Sequence, residues 1–316
     1  MYYVGIDIGG TTIAAGIVDD KLNWIAKSET STGQCFSGDE LIEKIVGIYN
    51  DLLSTHHITV DMICSVGIGV PGTANQVTGE VEDADNLGLG KYPFLTKIKE
   101  RIRTQVYMEN DANTAALGEY QMGRFQAKSF FMVTLGTGIG GGYIVDGKIL
   151  TGINGALGEI GHMVIDYKGR PCNCGRKGCF EQYASARALV RDAECEVRRE
   201  KQGLLWKKYI DNQYKLNGKL LFEAYRMKDE TACKIVENYI SYLEIGITNI
   251  INILQPDILC LGGGISQASD CFMKQLQKCV QQNRYSRNSD KNTEIIAASH
   301  GNEAGIMGAA LLGMLH

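Results

Sequence analysis

The stretch Tyr2–Asp19, YYVGIDIGGTTIAAGIVD, is an apolar run that breaks at Gly9 and Gly10 and resumes from Ile13 to Asp19. Two apolar segments about a glycine turn predict a β-hairpin. The pattern returns in FFMVTLGTGIGGGYIVDG, residues 130–147, where the apolar strand Phe130–Leu135 breaks at GTGIGGG and resumes with Tyr143, Ile144 and Val145 into an Asp146-Gly147 turn. Gly9 and Gly136 hold equivalent places, each in a glycine turn that contains threonine. Such a repeat points to two related domains facing each other across a cleft, with two unrelated hairpins as the alternative.

Outward from the first hairpin, strand and helix signals alternate as in an α/β fold. Ser37 and Glu40 form a capping-box pattern ahead of Leu41, Ile42, Ile45, Ile48, Tyr49, Leu52 and Leu53 at helical spacing. Ile63–Val70 reads as a buried strand ended by Pro71, Gly72 and Thr73. Val106–Glu109 is another strand, and Asn110, Asp111 and Asn113 cap a helix running to about Met122. After the second hairpin come helices near 186–201 and 231–254, a strand at 258–261, the triplet Gly262–Gly264 and a helix around 272–280. A strand at 294–298 and a helix at 304–315 close the chain. Residues 203–219 carry no clear pattern. The expected division is a smaller domain of 1–115 plus 304–316 and a larger one of 116–303.

The bulk numbers narrow the function. A chain of 316 residues with 44% apolar content has room for two packed domains, and a net charge of −4 gives no general attraction to nucleic acid or an anionic membrane. No apolar run reaches the roughly 18 residues of a spanning helix, and the opening residues do not read as a signal peptide, so a cytoplasmic location is expected. The ten cysteines are then thiols and metal ligands rather than disulfides. Cys35, Cys64, Cys195, Cys233, Cys260, Cys271 and Cys279 are scattered and read as small apolar fillers.

Three glycine turns follow strands: Gly9–Gly10, Gly136–Gly142 and Gly262–Gly264. Glycine lets backbone N–H groups approach an anion closely, and Thr11, Thr12 and Thr137 add hydroxyls, so together the turns favour a polyphosphate such as ATP. Gly136, Gly138 and Gly141 satisfy GxGxxG, but a dinucleotide site needs a helix next, and here a strand and a DG turn follow. Gly142–Ile149 approximates a P-loop yet puts Ile149 where a magnesium-binding hydroxyl is required. Asp7, at the end of the first strand, is a candidate to hold Mg²⁺ through water, or simply a turn cap.

Cys172, Cys174 and Cys179 in PCNCGRKGC follow His162 of GEIGHM. Three thiolates and an imidazole complete a tetrahedral zinc site with no open position, so the expected Zn²⁺ is structural. It would clip together a loop that also carries Glu159 and Glu181. Asp111, at a strand-to-helix junction where backbone N–H groups favour its ionised form, is the candidate base for an attacking alcohol; a plain helix cap is the alternative. Asn110, Glu159, His162 and Glu181 are groups suited to vicinal hydroxyls, although Glu159 and Glu181 could equally be surface charges.

In order, DIGGTT, GVPG, ENDANTAALGE, LGTGIGGG, GEIGHM, CNCGRKGCFE, LGGG and NEAGIMGAALL resemble the ROK family of sugar kinases and related repressors over nearly the whole chain. The resemblance implies a duplicated actin-like ATPase (ribonuclease H-like) fold of two domains around a cleft and a homodimer. It also implies transfer of the ATP γ-phosphate to a hexose, glucose at its 6-hydroxyl, with Mg²⁺. By the same resemblance Asp111 is the base and Asn110, Glu159, His162 and Glu181 hold the sugar, with Gly72 and Asn86 lining it. Gly9–Thr12 and Gly136–Gly138 take the phosphates and Gly262, Gly263 and Gly264 the adenosine side. His162 would put one ring nitrogen on zinc and the other near the sugar. Thr12 stands where many relatives have lysine, and NLGLGKYPF lacks the aromatic that often follows the NL pair, which leaves the sugar open. The alternatives are fructose, allose, N-acetylmannosamine or N-acetylglucosamine as acceptor. A sugar-responsive regulator is disfavoured because no DNA-reading segment precedes the DIGGT strand.

Overall fold

A computed structural model describes residues 1–33, 37–82, 84 and 90–315. The opening hairpin is β1 (Tyr2–Ile8) and β2 (Thr12–Asp19), paired antiparallel from Tyr2 opposite Asp19 to Ile8 opposite Ile13. β3 (Trp24–Ser31) adds to its edge. It escapes the sequence reading because its alternate residues are polar and exposed. The chain continues through α1 (Gly38–Thr55), β4 (Ile63–Val70), the small hairpin β5 (Thr73–Asn75) and β6 (Glu80–Glu82), α2 (Phe94–Lys99), β7 (Gln105–Asn110) and α3 (Asp111–Met122). The Ser37 side chain caps α1 by accepting from the Glu40 N–H at 3.2 Å.

The second half opens with β8 (Ser129–Leu135), β9 (Ile139–Val145) and β10 (Lys148–Leu150). It proceeds through α4 (Glu181–Ala184), α5 (Ala186–Glu200), α6 (Gly203–Asp211), α7 (Gly218–Arg226) and α8 (Glu230–Leu254). It ends with β11 (Ile258–Gly262), α9 (Ser269–Asn283), β12 (Glu294–Ala297) and α10 (Asn302–Leu312). One sheet has the order β3-β2-β1-β4-β7 and the other β10-β9-β8-β11-β12. Strand for strand these are the same topology, so the repeated hairpins mark a duplication. The GxGxxG reading fails for the expected reason: β9 follows Gly138 directly and ends at Asp146 and Gly147, both with positive φ.

The chain forms two compact units. One comprises Met1–Met132, Gly141–Gly158 and Ser299–His316, the other Val133–Gly140 and Glu159–Ala298. In the first, the sheet buries Ile6, Ile8, Ile13 and Ile68 against the apolar face of α1, including Leu41, Ile45 and Leu52. Its other feature is the seating of α10, whose backbone lies almost in contact with the chain beneath. A Cβ added at Gly5 would stand 1.9 Å from the Ile306 carbonyl oxygen, at Gly67 1.8 Å from that of Ala309, and at Gly118 1.8 Å from that of Ala304. Gly308 returns the arrangement, 1.7 Å from the Thr114 carbonyl oxygen. Only glycine admits this approach.

In the second unit α8 is the central helix, burying Ile235, Val236, Tyr239, Ile240, Leu243 and Ile247. Residues 203–219 form α6 and the start of α7. Only Leu205 and Tyr209 of α6 are buried, too sparse an apolar stripe to read from sequence.

Candidate active site

In the first unit the functional side chains gather where β1, β4 and β7 end. Asn110 caps α3, its side-chain oxygen accepting from the Ala112 and Asn113 N–H groups at 2.9 and 3.1 Å. Its amide donates to the Gly72 carbonyl at 2.9 Å, tying the helix start to the turn after β4. Gly72 needs its glycine, because its φ of +83° is left-handed. Asp111 is the first helical residue, and its carboxylate accepts from the Ala112 N–H at 2.9 Å. Asn86 lies outside the described residues.

Asp7 shares this place with Asp111. Burial, and then the negative charge of Asp111, raise the Asp7 carboxyl to about 7. Its oxygens are packed against two glycines: an added Cβ would meet them at 2.5 Å from Gly305 and 3.2 Å from Gly69. The turn that follows, Gly9–Thr12, is closed by the Gly9 N–H on the Thr12 carbonyl at 2.9 Å. It is braced by Thr32, whose hydroxyl donates to the Gly9 carbonyl at 2.9 Å. A Cβ at Gly10 would meet nothing within 4 Å, so the tip is open.

One residue the sequence reading passed over holds this loop together. Glu109, 1% exposed, accepts from the Asn110 N–H at 2.8 Å and the Asn113 amide at 2.9 Å, and Gln76 donates to its other oxygen. Burial raises its carboxyl, and these three donors oppose the rise. The available signal was an acid at the end of an otherwise apolar strand, where a charge is retained only with partners.

In the second unit Glu159 precedes a 3₁₀ turn, Ile160–His162. Burial raises the Glu159 carboxyl, His162 opposes the shift and Glu181 adds to it, so the three groups face one another. Glu181 begins α4, accepts from the Cys172 thiol at 3.2 Å and takes the Gln182 amide at 3.2 Å. Its other oxygen would be 2.8 Å from a Cβ at Gly138, so the turn between β8 and β9 carries glycine beneath this carboxylate. That turn is closed by the Gly136 N–H on the Gly138 carbonyl at 3.1 Å, and the Gly136 carbonyl accepts from Ala186. Thr137 sits at its tip. Gly262 ends β11; Gly263, φ +83°, leaves only 2.5 Å between an added Cβ and the Leu135 carbonyl oxygen, while Gly264 faces open space.

His162, Cys172, Cys174 and Cys179 place one ligand atom each within 4.8 Å of the others. Cys172 Sγ lies 3.7 Å from His162 Nδ1, and Cys174 Sγ 3.6 Å from Cys179 Sγ. Ligands at zinc bond lengths on a tetrahedron are about 3.6 Å (N to S) to 3.8 Å (S to S) apart, so the set fits that ion. The knuckle is shaped by Gly175 (φ +84°) and by Gly178 (φ +77°), where a Cβ would overlap the Asp166 carbonyl at 1.6 Å. Phe180, fully buried, packs over Gly246 of α8 and anchors it.

Duplicated sheets with glycine turns after β1 and β8 and an acid at the head of α3 define a duplicated actin-like ATPase fold. The ROK family model matches residues 3–314, and the chain belongs to the ROK family. It is 36% identical to the glucokinase of Halalkalibacterium halodurans, over 98% of this chain and 94% of that protein. It is 32% identical to the N-acetyl-D-glucosamine kinase of Histophilus somni, over 99% and 98%. Among solved structures, a ROK family glucokinase from Streptomyces griseus in complex with glucose and AMPPNP superposes with a TM-score of 0.86 at 30% identity, covering all of both chains. No helix among the described residues is long and apolar enough to cross a membrane.

Proposed function

We propose that the chain is an ATP-dependent glucokinase, transferring the γ-phosphoryl group of ATP to the 6-hydroxyl of glucose. The observation that carries the reading is the Asp111 carboxylate, fixed at the head of α3 in a chain whose full-length relatives include glucokinases. Phosphoryl transfer passes through a loose transition state, so the protein has mainly to position the groups, neutralise charge and accept one proton. Asp111 takes that proton from the sugar hydroxyl. Asn110, Glu159, His162 and Glu181 hold the remaining hydroxyls, with Gly72 and Asn86 lining the sugar. Nδ1 of His162 faces the thiols, which leaves Nε2 for the sugar.

The turns Gly9–Thr12 and Gly136–Gly138 receive the phosphates through backbone N–H groups and threonine hydroxyls, and Gly262–Gly264 the adenosine side. Asp7 and Asp111, close enough for one charge to raise the other's pKa, are a donor set suited to a hard cation. Asp7 would hold Mg²⁺ through water, and the ion would neutralise phosphate charge. His162, Cys172, Cys174 and Cys179 would hold structural Zn²⁺, fixing the loop of Glu159 and Glu181. The reading includes a cytoplasmic location and a homodimer, the latter open to analytical ultracentrifugation.

The N-acetyl-D-glucosamine kinase relative supplies the competing reading, transfer to an N-acetylhexosamine. ADP release with ATP and a panel of glucose, fructose, allose, mannose, N-acetylglucosamine and N-acetylmannosamine decides. The highest kcat/KM is expected for glucose. A tenfold preference for an N-acetylated sugar would replace the assignment, and no release with any sugar would end it.

A further inference from the structure

A cavity of about 680 Å³ lies in the second unit on the flank of the zinc knuckle, lined by Arg170, Tyr183, Arg191, Lys234, Tyr239 and Tyr242 together with Asp192 and Glu196. This volume is that of a small-molecule site. Its charge is unbalanced. Arg170 and Arg191 share one carboxylate, Asp192, at 2.8 and 3.1 Å, while Glu196 is taken up by Arg199 outside the cavity. Lys234 is exposed and pairs with no acid among the described residues. The floor is aromatic: the rings of Tyr183 and Tyr242 lie 4.7 Å apart, and the Arg170 guanidinium sits 4.6 Å over Tyr183.

We propose that this cavity binds a monophosphorylated sugar, its phosphate on Arg191 and Lys234 and the apolar face of its ring on Tyr242. A bare anion would leave the aromatic floor unused, and a neutral sugar would leave the cations unsatisfied. The site is wired to the active-site loop. Arg170 and Arg191 both donate to the Gln182 carbonyl, at 2.9 and 2.6 Å. The Gln182 side chain, 9% exposed, donates to Glu181 at 3.2 Å and approaches Cys172 Sγ at 3.7 Å. A phosphate that draws Arg191 off the Gln182 carbonyl loosens the residue that steadies Glu181, so occupancy lowers the hold on the acceptor. Binding stands apart from the proposed function; the effect on turnover rests on it.

The test is calorimetry of the full chain with hexose 6-phosphate while glucose and a non-hydrolysable ATP analogue saturate the active site. Arg191→Ala and Lys234→Ala are expected to weaken binding at least tenfold; without hexose 6-phosphate the Lys234 variant keeps turnover within twofold of wild type, whereas the Arg191 variant, having lost its bond to the Gln182 carbonyl, starts with a raised KM for glucose. Tyr242→Ala is expected to weaken the sugar phosphate but not inorganic phosphate. In initial-rate assays the ligand should raise the KM for glucose of wild type to a plateau, where a product competing for the active site would raise it without limit, and should leave the arginine and lysine variants unchanged. Equal binding by all variants, or none by wild type, overturns the site. Inorganic phosphate binding as tightly as the sugar phosphate overturns the ligand class. Dissociation of an oligomer by Arg191→Ala, seen by light scattering, would assign the cavity to a second copy of the chain instead. Binding without inhibition removes the link to Glu181, and a chain that binds here yet phosphorylates no sugar refutes the kinase reading alone.

Discussion

Gly118→Ala adds one methyl group where α3 crosses α10, and its cost follows from geometry. The new Cβ would lie 1.8 Å from the Ala304 carbonyl oxygen, whereas ordinary contact begins at 3.4 Å, so the helices must part by roughly 1.6 Å. Alanine's better helix propensity returns at most about 1 kcal/mol. Overpacking costs about 1–3 kcal/mol, and the carbonyl is backbone that no side-chain rotation can move aside, so net destabilisation of about 2 kcal/mol is expected. Because Asp111 starts the same helix, a shift of this size also misplaces the base, and kcat should fall by about 10²-fold. Gly47→Ala is the matched control: it lies in α1, is exposed, and an added Cβ meets nothing within 4 Å. It should stabilise by about 0.5–1 kcal/mol with no change in kcat. Denaturant unfolding and initial-rate kinetics on both variants decide. If Gly118→Ala unfolds at the wild-type midpoint with normal kcat, the close seating of α10 and its link to the active site are both wrong.

Asp7→Asn should stabilise the protein at pH 8 in EDTA while abolishing kinase activity. The sign follows from the raised carboxyl: the native state holds its proton up to about pH 7 and the unfolded chain only to about pH 4, so stability is lost as pH rises through that window. The advantage of the variant in thermal unfolding should therefore shrink toward pH 4, and a gap that widens on acidification would contradict the assignment. Glu109→Leu strands the buried Asn113 amide and the Asn110 N–H and should cost about 2–4 kcal/mol and at least tenfold in kcat, whereas Glu109→Gln should recover most of the stability. Cys174→Ser should reduce bound zinc, measured by atomic emission, and raise the KM for glucose at least tenfold with a smaller change in the KM for ATP.

The duplication was legible because it is written in local chemistry: paired apolar strands about a glycine turn with threonine occur twice. The meeting of His162, Cys172, Cys174 and Cys179 was legible for a similar reason, these being rare residue types close together in sequence. What escaped depends on distant backbone. Nothing around Gly5, Gly67 or Gly118 announces that α10 will lie on them, since the requirement is set by carbonyls nearly two hundred or more residues away. Glu109 was read as the end of a strand, because its partners Gln76 and Asn113 come from separate segments. The helices of residues 203–219 bury too few side chains to leave a periodic signal. His162 and the three cysteines, by contrast, needed only folding of their own loop to meet.

The central claim is that Asp111 accepts the proton of the sugar hydroxyl. Single-turnover transfer from ATP to glucose, measured by rapid quench for wild type and Asp111→Asn alongside calorimetric glucose binding, addresses it directly. The account requires the chemical step to slow by about 10²- to 10⁴-fold while glucose affinity stays within a few fold. A variant that transfers phosphate at near the wild-type rate would contradict it.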